Sequence, residues 1–132
     1  TFSLGLSSNT FSVFSSNTSV NNTFIMGSVT HTSTNSYSFT TTSTATIDAF
    51  PIGTYRSAEY LVQIANSTNH QVSKLLAIHD GTTSYLTEYG IMTTGVSMGV
   101  FTTSISATNL TLRFTPVSNT GTASIHRIAV IV

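Results

Sequence analysis

Apolar side chains recur at every second position in short runs, and clusters of Ser, Thr, Asn and Gly separate one run from the next. A period of two puts one row of side chains on each face of an extended strand, whereas a helix needs apolar residues three and four apart. The first run spans residues 2–6, where Phe2, Leu4 and Leu6 alternate with Ser3 and Gly5, and a second covers 11–14. Others cover 23–30, 36–42, 44–50 and 57–65; in the last of these Ala58, Tyr60, Val62 and Ile64 share one face. Residues 72–79 are almost continuously apolar, the pattern of a central strand covered on both faces. Runs at 84–92, 96–105, 109–115 and 123–132 complete about nine or ten strands.

The punctuation agrees with the runs. Pro51 lacks the N–H that a ladder requires, so a strand should end there. Asp80-Gly81 is the clearest hairpin turn, because Asp and Gly tolerate the positive φ that primed turns demand. The best helical candidate, residues 71–78, lacks caps at both ends. Turn signals spaced roughly 8–12 residues apart favour a sandwich or barrel over βαβ units. The fold class predicted is all-β, an antiparallel β-sandwich of jelly-roll or immunoglobulin-like type.

Composition sharpens this picture. Apolar residues make up 39% of the 132, enough for a packed core. Charged residues make up only 6%, against roughly 25% in an ordinary domain. Residues 1–47 contain no Asp, Glu, Lys or Arg; the first charge is Asp48. With a net charge of zero, a free monomer has little electrostatic protection against self-association, so the chain reads as one built to be assembled. The absence of Cys excludes disulfides and thiolate metal sites. Four scattered cations make no basic stripe for nucleic acid, and no apolar run is long enough to span a bilayer. A chain beginning at Thr1 reads as processed or as part of something longer.

Candidate chemistry is sparse. His79-Asp80 beside Glu88 has the residue types of a metal site or an acid–base pair. The plainer reading is structural: Asp80 and Gly81 form a turn, and Glu88 on the returning strand pairs with Lys74 or Arg56 across the hairpin. Arg113, between Leu112 and Phe114, points away from their face; for it, Arg56 and Arg127, pairing with Asp48, Glu59 or Glu88 competes with subunit contact. No Ser lies in a Gly-X-Ser-X-Gly elbow, and no cofactor is implied. Four Asn-X-Ser/Thr triplets, at Asn17, Asn21, Asn66 and Asn109, are what nine Asn give by chance in so Ser- and Thr-rich a chain. Most Tyr and Phe alternate with polar residues, as core aromatics do.

The run Tyr55-Arg56-Ser57-Ala58-Glu59-Tyr60-Leu61-Val62-Gln63-Ile64 resembles a segment of structural proteins from marine tailed phages, chiefly cyanophages and their relatives. The likeness continues through Ile78-His79-Asp80-Gly81-Thr82-Thr83-Ser84-Tyr85-Leu86-Thr87-Glu88-Tyr89-Gly90, then resumes at residues 99–105 and 110–116. It covers residues 44–132; residues 1–43 take no part in it. The resemblance implies a virion structural module without catalysis, a tail, fibre or capsid decoration component. At marine ionic strength the Debye length is only about 3–5 Å, so surface charge adds little to docking.

The sequence therefore predicts residues 44–132 as the sandwich module. Residues 1–43, uncharged, complete it or contact a neighbouring subunit by strand addition. The expected partners are further copies of the chain and other virion proteins, with neither nucleic acid nor membrane, and the expected location is the virion. The alternatives are a tip domain that binds a receptor or host-surface glycan, and a subunit of an extracellular filament or surface layer.

Overall fold

The computed structural model describes residues 23–132, so the predicted runs at 2–6 and 11–14 lie outside the described residues. Among the described residues are nine strands and no helix: β1 (Thr23–Met26), β2 (Thr30–Phe39), β3 (Ala45–Pro51), β4 (Tyr55–Ala65), β5 (His70–His79), β6 (Ser84–Thr93), β7 (Gly99–Ser106), β8 (Asn109–Pro116) and β9 (Gly121–Ile131). Two antiparallel sheets form, one in the order β1-β2-β9-β4-β5-β6 and a smaller one in the order β3-β8-β7. The smaller sheet packs on the larger, making a two-layer sandwich.

The core between them follows the alternation. Ala58, Tyr60, Val62 and Ile64 of β4 are buried, as their spacing predicts. Leu75 and Ala77 of β5, Ala123, Ile125 and Ala129 of β9, and Phe39 of β2 join them from the larger sheet. Ile47, Phe50, Phe101, Leu110, Leu112 and Phe114 come from the smaller sheet. The rings of Phe101 and Phe114 lie 4.9 Å apart, and Phe39 reaches Phe114 at 5.9 Å. Phe39 fits because its neighbour across the ladder is Gly121, where a Cβ would collide with the Phe39 ring and lie 2.8 Å from the Ala65 carbonyl oxygen.

Three sequence expectations need correction. Residues 23–30 and 36–42 are not two separate strands. A turn at Gly27, with φ 65°, ends β1, and β2 then runs for ten residues against β9. Residues 72–79 are not covered on both faces: along β5, His70 to His79 alternate strictly between exposed and buried. The buried row includes polar side chains that are bonded: Gln71 Oε1 accepts the Met98 N–H at 2.7 Å, and its amide donates to Ser73 Oγ at 3.2 Å. Finally, Asp80-Gly81 belongs to a four-residue loop between His79 and Ser84, closed by the Asp80 N–H to the Thr83 carbonyl at 3.1 Å. A two-residue primed turn is not needed because the Asp80 side chain organises the longer loop itself.

The boundary at 43/44 falls between β2 and β3. β2 belongs to the same sheet as β9 and β4, and the Asn35 amide donates to the Ile47 carbonyl at 2.9 Å, tying β2 to the smaller sheet.

Candidate interaction surface

The larger sheet turns one face to the core and the other outward, and β3, β8 and β7 cover only the first. In antiparallel sheets residues paired across a ladder share a face, which fixes the outer row. Ser57, Glu59, Leu61 and Gln63 of β4 stand level with Ile78, Leu76, Lys74 and Val72 of β5. Ile128 and Val130 of β9 flank them on one side, and Tyr85, Thr87 and Met92 of β6 on the other. Leu76 and Ile78 are each 48% exposed, Tyr85 54% and Met92 71%. A shallow apolar hollow of about 550 Å³ opens here between Leu76, Ile78, Tyr85, Thr87, Ile128 and Val130. Leu61, Val72 and Met92 line a smaller one further along the same strands.

Between the hollows sits one ion pair. Lys74 Nζ donates to Glu59 Oε1 at 2.9 Å, and the Tyr89 hydroxyl donates to the same oxygen at 3.0 Å. The Lys74 bond, then the Tyr89 hydroxyl, holds the Glu59 carboxyl below its ordinary range. The same carboxylate raises Lys74. Desolvation, then the Glu59 bond, raises Tyr89. Tyr89 reaches Glu59 because a bulge in β6 sets Glu88 opposite Leu75 and Gly90 opposite Lys74, leaving Tyr89 as the extra residue.

That bulge also decides the fate of Glu88. Opposite the inward Leu75, it stands on the other side of the sheet from Lys74 and has no ion-pair partner among the described residues. Arg56 donates to the His79 carbonyl at 3.2 Å. Arg113 stands level with Thr46 and Thr102, on the outward face of the smaller sheet, half-buried and likewise without an ion-pair partner among the described residues.

Asp80 and Gly81 shape the β5–β6 loop. Asp80 Oδ1 accepts the N–H groups of Thr82 and Thr83 at 2.9 and 2.7 Å and the Thr82 hydroxyl at 2.9 Å. Those two N–H groups, Thr83 first, hold the carboxyl down to about 2. Gly81 adopts φ 105°, and its N–H donates to His79 Nδ1 at 3.0 Å. His79 Nε2 lies 2.7 Å from the Tyr55 carbonyl, so these partners assign the neutral tautomer with its proton on Nε2. Asn66 builds the β4–β5 loop in the same way, its Oδ1 accepting the Thr68 and Asn69 N–H groups at 3.0 and 2.8 Å.

A second ion pair lies inside. A bulge at Ile47 turns Asp48 inward, where Arg127 Nη1 meets Asp48 Oδ2 at 2.7 Å and the Ala49 carbonyl at 2.8 Å. The guanidinium also stands 5.6 Å from the Phe50 ring centre. The Tyr60 hydroxyl is buried beside them. Burial, then the Asp48 charge, pushes its pKa far above the ordinary value.

The sequence reading missed the outer face. Its signal was the continuous apolar character of residues 72–79, interpreted as cover on both sides.

No family model matches the chain, and no curated protein matches it. Among solved structures it is similar to the tailspike protein of the Acinetobacter phage vB_ApiP_P1, with TM-score 0.49 and 19% identity over 90% of this chain. It is also similar to the tailspike protein of the Acinetobacter baumannii phage AM24, with TM-score 0.47 and 10% identity over 76% of this chain. The chain spans about a quarter of each, 25% and 26% respectively.

Proposed function

We propose that this chain is a non-enzymatic structural module of a phage virion, a tail, fibre or decoration component that works by burying the outer face of its six-stranded sheet in an assembly. The observation that carries the assembly role is that face: a contiguous, largely apolar surface on a chain with 6% charged residues. The virion assignment rests on the resemblance of residues 55–64, 78–90, 99–105 and 110–116 to phage structural proteins. These segments fall on β4, the β5–β6 hairpin, β7 and β8. Most of the carboxylates support a structural role because they have structural partners, Asp80 in its loop, Asp48 with Arg127 and Glu59 with Lys74, as does His79 with Gly81 and Tyr55; Glu88 is the exception.

Immunogold electron microscopy, with an antibody to this chain on phage particles from its source, tests the proposal. Gold on the tail, fibres or capsid is expected. Gold confined to cell-surface filaments or a surface layer overturns the virion assignment.

A further inference from the structure

We infer that the occupant of the outer face of β4, β5, β6 and β9 is a second copy of this chain, docked face to face about a two-fold axis. This rests on the assembly role proposed above and names its partner. The argument is charge. Among the described residues that face's outer row carries one carboxylate and one ammonium, Glu59 and Lys74, 2.9 Å apart, beside the imidazole of His126, which is bonded to the Thr32 hydroxyl. A surface made for an anionic or a cationic partner carries an excess of one sign; this one sums to zero and complements itself.

Its layout is self-complementary too. Leu76, Ile78, Ile128 and Val130 lie on one side of the ion pair, and Leu61, Val72 and Met92 on the other. A two-fold axis lying between two such faces and crossing the ion pair sets Glu59 of each copy against the partner's Lys74. It also brings apolar surface onto apolar surface, the isologous contact that closes without growing into a filament. A glycan fits less well. Tyr85 and Tyr89 are exposed, but their hydroxyls are committed to Asp80 at 3.3 Å and Glu59 at 3.0 Å, and Glu59 already holds Lys74.

The test is sedimentation velocity on the 132-residue chain over a concentration series. A monomer–dimer equilibrium is expected. Glu59→Lys and Lys74→Glu each place two like charges on the face, and each alone should weaken self-association at least ~10-fold. An equimolar mixture of the two should restore the dimer as a heterodimer, which also proves both variants folded. A chain that stays monomeric to high micromolar concentration overturns the inference. So does dimerisation unchanged in both variants, or saturable binding of a monomer to a glycan array. The outcomes separate from those of the virion assignment: a monomer found on particles defeats only the dimer, and a dimer absent from particles defeats only the assignment.

Discussion

On β5, Leu75 and Ala77 turn towards the smaller sheet and are buried, while Leu76 and Ile78 turn the other way and stay 48% exposed. The residues are chemically alike; the difference is the cover. β3, β8 and β7 lie over the first row, and nothing among the described residues lies over the second. An antiparallel sheet with a wet face ordinarily shows polar residues on it. Here β5 keeps apolar side chains on both faces, so its sequence anticipates a second cover that the described residues do not supply. Burying a Leu or Ile fully contributes about 1.5–3 kcal/mol. Leu76 and Ile78 leave roughly half of that available to whatever docks.

The contrast can be broken most directly by truncating one side chain on each face. Phe114→Ala, in the core, should cost about 3–5 kcal/mol in urea unfolding. Leu76→Ala at low protein concentration should cost about 1 kcal/mol, because only about half of the side chain is covered in the monomer. If the dimer forms, the Leu76 variant falls behind the unmodified chain only as concentration rises. Equal losses in dilute solution would erase the distinction between the faces.

The two ion pairs offer a second comparison, one inside the sandwich and one on the outer face. Asp48→Ala leaves Arg127 buried without its carboxylate and should cost about 3 kcal/mol. Glu59→Ala removes an exposed pair and should cost about 0.5 kcal/mol or less in the monomer. Replacing Asp48 and Arg127 together, by Leu and Met, should recover much of the loss. A double variant as unstable as Asp48→Ala would show that the bridge itself, rather than the stranded charge, holds the sheets.

The smallest effect concerns the two loops. Asp80 titrates near 2 in the fold against 3.8 unperturbed, so its contribution is complete above pH 3.8 and is lost as pH falls through about 2. Asp80→Asn keeps the acceptor oxygen, as Asn66 does in its own loop. Urea midpoints at about pH 5 and about pH 2 should therefore differ less for the variant than for the unmodified chain. Identical acid losses would remove Asp80 from the account.

What was legible in the sequence followed from local periodicity. β4 could be read because Ala58, Tyr60, Val62 and Ile64 alternate with Glu59, Leu61 and Gln63, two of them polar, and β3 ends at Pro51 as a missing N–H requires. Strands whose two faces are both apolar defeat that reading, since the pattern does not say which face is covered. Bulges defeat it as well. One extra residue in β6 moves Glu88 away from Lys74 and gives Tyr89 to Glu59; another in β3 turns Asp48 inward. The pairing of Asp48 with Arg127, 79 residues apart, was one of several combinations the sequence allowed. Its selection needed the β4–β9 register, which places Arg127 beside the buried Tyr60.

The position of β9 has a consequence in time. It lies between β2 and β4, pairing Phe39 with Gly121 and Ala65 with Thr122, although it follows every other described strand in the chain. During synthesis β4, β5 and β6 can fold back on one another locally, but β1 and β2 have no place in the sheet until residues 121–131 emerge. Loops of this span close slowly. Until then the nascent chain carries two open strand edges, those of β2 and β4, and their sealing by β9 is the step on which quality control or premature aggregation would act.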